Sequence, residues 1–108
     1  MDMFEVIGRR YSVRGYKTDP VPDELLDEVL EAARRAPTAA NRQPFRILVA
    51  HTTGREEEFA RVYGRRWFVQ APLVLAIVAV PGEAWTDSAG VSYADVVAAI
   101  AMDHLILA

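Results

Sequence analysis

Hydrophobic and polar positions along the chain form patterns that predict a mixture of helices and strands. The clearest pattern lies in Pro22–Ala36, where leucine, valine and alanine recur every three or four positions and acidic residues occupy the opposite side. Pro22 suits a first helical turn, and Pro37 ends the helix because the residue before a proline avoids helical dihedral angles. A shorter helix with one apolar side is predicted over Asp2–Arg10.

Two apolar runs predict buried strands. Phe45–His51 and Leu73–Val80 are rich in leucine, isoleucine and valine, residues that favour pleated structure. Every position of Leu73–Val80 is apolar, so we expect both faces of that strand to be covered.

Two further helices are predicted in the second half of the chain. Thr53–Glu56 has the pattern of a capping box, which indicates a helix that begins there and continues to about Arg66. The side chains expected to point inward from it are Phe59, Val62 and Tyr63. Ser92 is expected to cap a last helix that extends to Ala108 and stays apolar nearly all round.

These elements predict an α+β fold in which helices flank a central β-sheet in three layers. Strands with such apolar sequences need further strands and covering helices, and the last helix has no closing glycine, asparagine or basic residue. We therefore expect residues 1–108 to be the N-terminal part of a single domain that is incomplete at its C-terminus.

Composition narrows the classes of protein to be considered. Of the 108 residues, 52% are apolar and 25% are charged, and the formal net charge of -3 gives no support for a nucleic-acid partner. Cysteine is absent and only two histidines occur, which argues against thiolate chemistry and a zinc site. No signal peptide or apolar run of membrane-spanning length is visible, so a soluble, cytoplasmic protein without a membrane partner is expected.

The segment from Arg9 to Arg14 concentrates positive charge around a hydroxyl group. In an extended chain Arg10, Ser12 and Arg14 would share one face, and two guanidinium groups beside a hydroxyl suit a phosphate. A solvated basic turn between two elements is the commoner explanation of such a cluster. The residues alone leave both interpretations open.

A second unusual segment, Ala36–Phe45, joins the best-defined helix to the first strand. Two prolines stiffen a loop of small residues that also carries Thr38, Asn41 and Gln43, whose side chains donate and accept hydrogen bonds. Such a loop suits the polar edge of a planar heterocycle, and a plain helix-to-strand connection is the alternative. The standard motifs of phosphate-binding loops, dinucleotide folds, serine hydrolases and zinc proteases are absent.

Together these segments resemble the opening of the nitroreductase-like FMN-dependent oxidoreductase family. The likeness lies in RRYSVRGY, in VPDELLDEVLEAARRAPTAANRQPF after a gap, and in the last helix, and the motifs follow the family's order. The matching residues of the last helix are Asp95, Ala99, His104, Leu105, Leu107 and Ala108. Two positions differ mildly, because Thr38 stands where the family usually has serine and Phe45 where it usually has tryptophan.

The resemblance implies cofactor-binding roles for two sets of residues. The first set matches family positions that hold the flavin phosphate and ribityl chain, the tyrosine through its backbone: Arg10, Tyr11, Ser12 and Arg14. The second set matches a loop that reaches FMN across a homodimer interface, together with the polar residue that follows it: Pro37, Thr38, Ala39, Asn41 and Gln43.

The resemblance also implies an activity. The family transfers electrons from NADH or NADPH through FMN to a small electron-poor acceptor such as a nitroaromatic compound or a quinone. Because the cofactor carries the chemistry, no catalytic acid, base or nucleophile is expected among the side chains. Two alternatives stay open: another flavin reaction on the same scaffold, such as dehalogenation, flavin breakdown or azoline oxidation, and a non-catalytic module that binds a phosphate or a nucleotide.

Overall fold

The computed structural model describes all residues from Met1 to Ala108. Five helices are present: α1 (Met3–Arg9), α2 (Asp23–Arg34), α3 (Glu56–Val62), α4 (Arg66–Gln70) and α5 (Ala94–Leu107). Two strands are present: β1 (Phe45–His51) and β2 (Leu73–Ala79). Short 3-10 turns cover Ala39–Asn41, between α2 and β1, and Pro81–Glu83, after β2.

The two helices predicted near the N-terminus are confirmed to within two residues at each end. Asp2 caps α1, since its carboxylate accepts a hydrogen bond of 2.8 Å from the backbone N–H of Glu5. Pro22 precedes α2, and its carbonyl oxygen accepts from the backbone N–H groups of Leu25 and Leu26. Local sequence therefore determines where both helices begin.

The strands β1 and β2 form an antiparallel pair. Their register runs from Phe45 opposite Ala79 to His51 opposite Leu73. One face of the pair packs against α5, whereas the other face, which carries Leu48, stays open. The prediction that both faces of β2 are covered is wrong for the described residues, because Val78 on the open face is 45% exposed.

The prediction of one long helix after Thr53 is also wrong. The chain forms two short helices, α3 and α4, separated at Gly64, and the side chain of Thr53 does not cap α3. Gly54 adopts a left-handed conformation (φ 80°), and its N–H donates instead to the carboxylate of Glu56 at 3.1 Å. Phe59 is buried as expected, but Val62 at the end of α3 is 74% exposed.

Most of the core lies where α5 crosses α2 and the sheet. Ala33 of α2 and Ala101 of α5 are completely buried, and Val97 and Leu105 extend the contact along α5. His104 ties the two helices together, since its Nδ1 donates to the carbonyl oxygen of Ala32 at 3.0 Å. The helix α5 begins two residues after Ser92, whose hydroxyl accepts from the N–H of Ala94. None of the helices has the length and hydropathy needed to cross a bilayer.

Candidate functional site

The first arginine-rich segment borders a cleft of about 550 Å³. The helix α1 ends at Arg9, and the four residues that follow line one side of the cleft: Arg10, Tyr11, Ser12 and Val13. The rest of the lining is almost entirely apolar: Tyr16, Leu73, Leu75, Met102, Leu105 and Ile106. The cleft therefore combines a basic, hydroxyl-bearing rim with an apolar floor built from β2 and α5.

The two arginines proposed for phosphate binding have no carboxylate partner. Neither Arg10 nor Arg14 makes an ion pair, whereas the adjacent Arg9 pairs with Glu5 at 2.8 Å. Arg10 lines the cleft and Arg14 is exposed beyond it. Two guanidinium groups close together in sequence are thus available to an anion.

The segment that carries these arginines is not a strand. Residues 10–22 form neither a helix nor a ladder with another strand, so the regular geometry that would align alternate side chains is not maintained. Successive residues line the cleft instead, which brings Tyr11 to it together with Arg10 and Ser12.

The second candidate segment, the loop Pro37–Gln43, is organised by its own hydrogen bonds. The hydroxyl oxygen of Thr38 accepts a hydrogen bond of 3.1 Å from the backbone N–H of Gln43. The carbonyl oxygen of Thr38 accepts from the N–H of Asn41 at 2.9 Å, which closes the 3-10 turn that begins at Ala39. These contacts fold the loop back on itself before β1 begins.

Three residues near this turn adopt backbone conformations that are rare for side-chain-bearing residues. The φ angles of Ala40, Asn41 and Gln43 are 55°, 53° and 51°, all in the left-handed region. Asparagine tolerates this region better than alanine or glutamine does. Backbone strain concentrated in one loop is typical of functional segments that surrounding contacts hold in place.

The two side-chain amides of the loop are free for a ligand. Asn41 and Gln43 are exposed and their side-chain amides make no hydrogen bond within the chain, while Pro37 is exposed and Thr38 and Ala39 are half-buried. Pro44, which follows the loop, is fully buried and anchors it to the start of β1. Gln43 lines a second cavity, of about 310 Å³, whose other lining residues are Arg34, Phe45, Arg46 and Ile47.

Within a single chain, the two candidate segments lie at opposite ends of β1. The loop enters β1 at Phe45, whereas the cleft touches Leu73 and Leu75 of β2, which pair with His51 and Val49 of β1. At about 3.4 Å of rise per residue, four to six residues of strand put roughly 13–20 Å between them. The structure does not bring the loop into the cleft of its own chain.

The C-terminal end of α2 carries a compact charge cluster just before the loop. Glu31 accepts hydrogen bonds from the guanidinium groups of Arg34 (2.6 Å) and Arg35 (2.7 Å). These two contacts, that with Arg34 first, lower the pKa of the Glu31 carboxyl to about 2, and Glu31 raises the pKa of Arg34. The cluster is exposed to solvent, so it adjusts the end of the helix rather than the core.

Sequence reasoning missed the residues that support the first segment. Tyr16 and the apolar floor of the cleft come from three separate parts of the chain, and no local motif connects them. The sequence feature that bears on this packing is the concentration of aromatic residues around Trp67, which indicates a packed cluster but not that Tyr16 belongs to it.

The model of the nitroreductase family matches residues 7–65, a stretch that contains both candidate segments and more than half of the chain. The chain belongs to the nitroreductase family. The resemblance noted from the sequence is thereby confirmed.

The chain is also similar to individual named proteins. A protein named NADH dehydrogenase from Thermus thermophilus is 43% identical over 72 residues, which are 66% of this chain and 35% of that protein. A protein named FMN reductase [NAD(P)H] from Bacillus subtilis is 32% identical over 69 residues, 63% of this chain and 28% of that protein. The matched region thus spans about a third of these curated relatives.

A solved structure confirms the predicted α+β fold class. The crystal structure of a nitroreductase family protein from Clostridium difficile superimposes with a TM-score of 0.82 at 32% identity. The superposition covers 99% of this chain and 61% of that chain. The helices and the strand pair described above therefore correspond to about three fifths of that nitroreductase fold.

Proposed function

We propose that this nitroreductase family member is an FMN-dependent oxidoreductase that passes electrons from NADH or NADPH to a small electron-poor acceptor, such as a nitroaromatic compound or a quinone. The single observation that carries the proposal is a pair of guanidinium groups without carboxylate partners, of which Arg10 lines an apolar-floored cleft and Arg14 is exposed just beyond it. When bound, FMN supplies the redox chemistry, and the side chains supply binding and orientation. The FMN reductase [NAD(P)H] of Bacillus subtilis, a relative of this chain, supports the choice of cofactor.

The residues at the cleft fit the phosphate end of FMN. A phosphate carries two negative charges or nearly so, and guanidinium groups bind it through paired, charge-assisted hydrogen bonds. Arg10 and Ser12 line the cleft, and Arg14 lies two residues beyond them. In this proposal the two arginines hold the phosphate, Ser12 holds a phosphate or ribityl oxygen, and Tyr11 contributes its backbone.

The loop Pro37–Gln43 fits the polar edge of the flavin ring. The free amides of Asn41 and Gln43 donate and accept hydrogen bonds, as the ring's carbonyl and imino groups require. The hydroxyl oxygen of Thr38 is occupied by the N–H of Gln43, which leaves the hydroxyl proton to donate. Pro37 and Ala39 present small, apolar surface beside these groups.

We infer that a homodimer completes the site, with the loop of one subunit facing the arginine segment of the other. The separation of the two segments along β1 supports this arrangement. The open face of the sheet and the exposed side of α5, with Val96 at 52% and Ile106 at 53% exposure, supply apolar surface for such an interface.

Flavin binding and electron transfer test the proposed function directly. The purified full-length protein is expected to bind FMN and to oxidise NADH or NADPH through repeated turnovers only when an acceptor is supplied. A panel of nitroaromatic compounds and quinones identifies the acceptor class. Binding of FMN without oxidation of either nicotinamide would favour the non-catalytic module, and failure to bind FMN at all would contradict the proposal.

Mixed dimers test whether the site is shared between subunits. One subunit carries Arg10→Ala together with Arg14→Ala, and the other carries Asn41→Ala. If the site is shared, the hybrid contains one intact site and binds FMN at half the stoichiometry of the unaltered dimer. If each chain builds its own site, the hybrid contains no intact site and the shared-site proposal fails.

A further inference from the structure

The segment that carries the proposed phosphate site has no backbone support of its own. Residues 11–21 take part in no backbone–backbone hydrogen bond, although they include Ser12 and Arg14. They also form no helix or strand. A segment of this kind is ordered only through its side chains.

The ring of Tyr16 makes an aromatic contact between this segment and the rest of the protein. Its ring lies 6.1 Å from that of Trp67 in α4, centroid to centroid, with the planes inclined at 40°. Its hydroxyl group donates a hydrogen bond of 3.1 Å to the carbonyl oxygen of Val13. The ring thus reaches outward to α4 while the hydroxyl closes a four-residue turn that contains Arg14.

The partner of Tyr16 is itself firmly held. The ring of Trp67 lies 5.4 Å from that of Tyr63 and 6.2 Å from that of Phe68, and the last two lie 5.7 Å apart. Tilted and edge-to-face arrangements at these distances are favourable for aromatic rings. We call Tyr16, Tyr63, Trp67 and Phe68 the aromatic cluster.

Tyr16 is also one of three residues, with Leu73 and Leu75, that two cavities share. It lines the cleft that Arg10 and Ser12 border, and it lines a neighbouring cavity of about 400 Å³ whose lining includes Trp67 and Phe68. Displacing Tyr16 would therefore change the lining of the cleft and release the turn around Arg14 at the same time.

We propose that Tyr16 is a positioning residue that holds Arg10, Ser12 and Arg14 in register for a phosphate by anchoring their segment to the aromatic cluster. This inference rests on the proposed function for its ligand, but the anchoring itself does not. Tyr16 lines the cleft, but its proposed effect on the phosphate is exerted through Arg10, Ser12 and Arg14. Its two contacts have different roles, since the ring determines where the segment lies and the hydroxyl group closes the turn around Arg14.

Limited proteolysis with trypsin tests the anchoring without any flavin. Arg10, Arg14 and Lys17 are all trypsin sites within or beside the segment. Tyr16→Leu, which removes both contacts, is expected to speed cleavage at these sites by about tenfold, because cleavage follows the population of the detached segment. Tyr16→Phe keeps the ring contact, and its cleavage rate is expected to lie between those of the unaltered protein and Tyr16→Leu. The control is Trp85→Leu, which removes the ring pair of Trp85 and Tyr93 (5.3 Å) elsewhere.

A comparison of FMN with riboflavin tests the consequence for the phosphate. Riboflavin lacks the phosphate, so Tyr16→Leu is expected to weaken FMN binding by about tenfold and riboflavin binding by less than about twofold. Tyr16→Phe is expected to restore most of the preference for FMN. Trp85→Leu is expected to leave the ratio of the two affinities unchanged.

The remaining outcomes separate this inference from the proposed function. Equal losses for both flavins, or unchanged cleavage at Arg10, Arg14 and Lys17 in Tyr16→Leu, would overturn the positioning role. If the unaltered protein binds FMN no better than riboflavin, the phosphate assignment fails with it. If the unaltered protein binds neither flavin, the proposed function fails, and the trypsin result alone decides whether Tyr16 anchors the segment.

Discussion

The two segments proposed to bind flavin are held in place by opposite means. The arginine segment, Arg10–Arg14, has no backbone hydrogen bonds beyond the end of α1 and depends on the ring of Tyr16. The loop Pro37–Gln43 makes its own hydrogen bonds and holds strained backbone angles between a helix and a buried proline. Packing against a distant part of the chain can thus hold a charged site in place, whereas a site that presents amide groups at fixed angles needs a rigid local backbone.

The largest effect is expected when the charges of the arginine segment are removed. Arg10→Ala or Arg14→Ala should each weaken FMN binding by about 1.5–3 kcal/mol, the range for charge-assisted hydrogen bonds, while the stability of the fold changes little. Fluorescence titration of FMN measures the loss. The matched control is Arg9→Ala, which removes a guanidinium that Glu5 already neutralises. Unchanged affinity in the Arg10 and Arg14 double variant would remove this segment from the site.

A smaller effect is expected when the internal frame of the loop is broken. Thr38→Val removes the oxygen that accepts from the N–H of Gln43, and we expect a loss of about 1 kcal/mol in the free energy of unfolding. The affinity for FMN and that for riboflavin should fall together, because the loop faces the ring and not the phosphate. Thr38→Ser keeps the oxygen and serves as the control. A loss confined to FMN would mean that the two segments are not independent.

Glycine substitutions at two adjacent alanines test whether the loop is strained. Ala40→Gly should stabilise the fold by up to about 1 kcal/mol, because glycine adopts a φ of 55° without the steric cost that alanine has. Ala39→Gly, one position earlier and outside the left-handed region, should instead destabilise the fold by about 0.5–1 kcal/mol. Denaturant unfolding curves measure both changes. Destabilisation by both substitutions to the same extent would argue against strain at Ala40.

The smallest effect is expected when acid protonates Glu31 at the end of α2, next to the loop. The folded state lowers the pKa of Glu31 to about 2 from an ordinary value of 4.5, so its contribution to stability is present above pH 4.5 and is lost as the pH falls towards 2. Melting temperatures measured across this interval should fall slightly more for the unaltered protein than for Glu31→Gln, and added salt should shrink the difference. Identical pH profiles would show that the cluster contributes nothing measurable.

The parts of the molecule that sequence predicts well are those that local pattern controls. The helix α2 follows from its apolar stripe and from the prolines on either side. The strand β2 follows from an uninterrupted apolar run, and β1 follows from a mostly apolar one. Both candidate segments stand out by their own residues, and the family resemblance implies their cofactor-binding roles.

The parts that sequence predicts badly depend on contacts between distant residues. The capping pattern predicts one continuous helix, but the helix is interrupted at Gly64. The neighbouring Tyr63 packs in the aromatic cluster. Nothing in the local sequence pairs Tyr16 with Trp67, fifty-one positions later. The left-handed angles of Ala40 and Gln43 were equally invisible, since neither residue type favours that region.

The completely buried alanines at the crossing of α2 and α5 act as a spacer of fixed thickness. Ala33 and Ala101 let the two backbones approach closely, so any larger side chain at either position would push the helices apart, whereas a smaller one would leave only a slight void. The helix α5 also carries Leu105 and Ile106, which form part of the cleft beside Arg10. The two methyl groups that set the distance between α2 and α5 therefore also set where the α5 wall of that cleft lies.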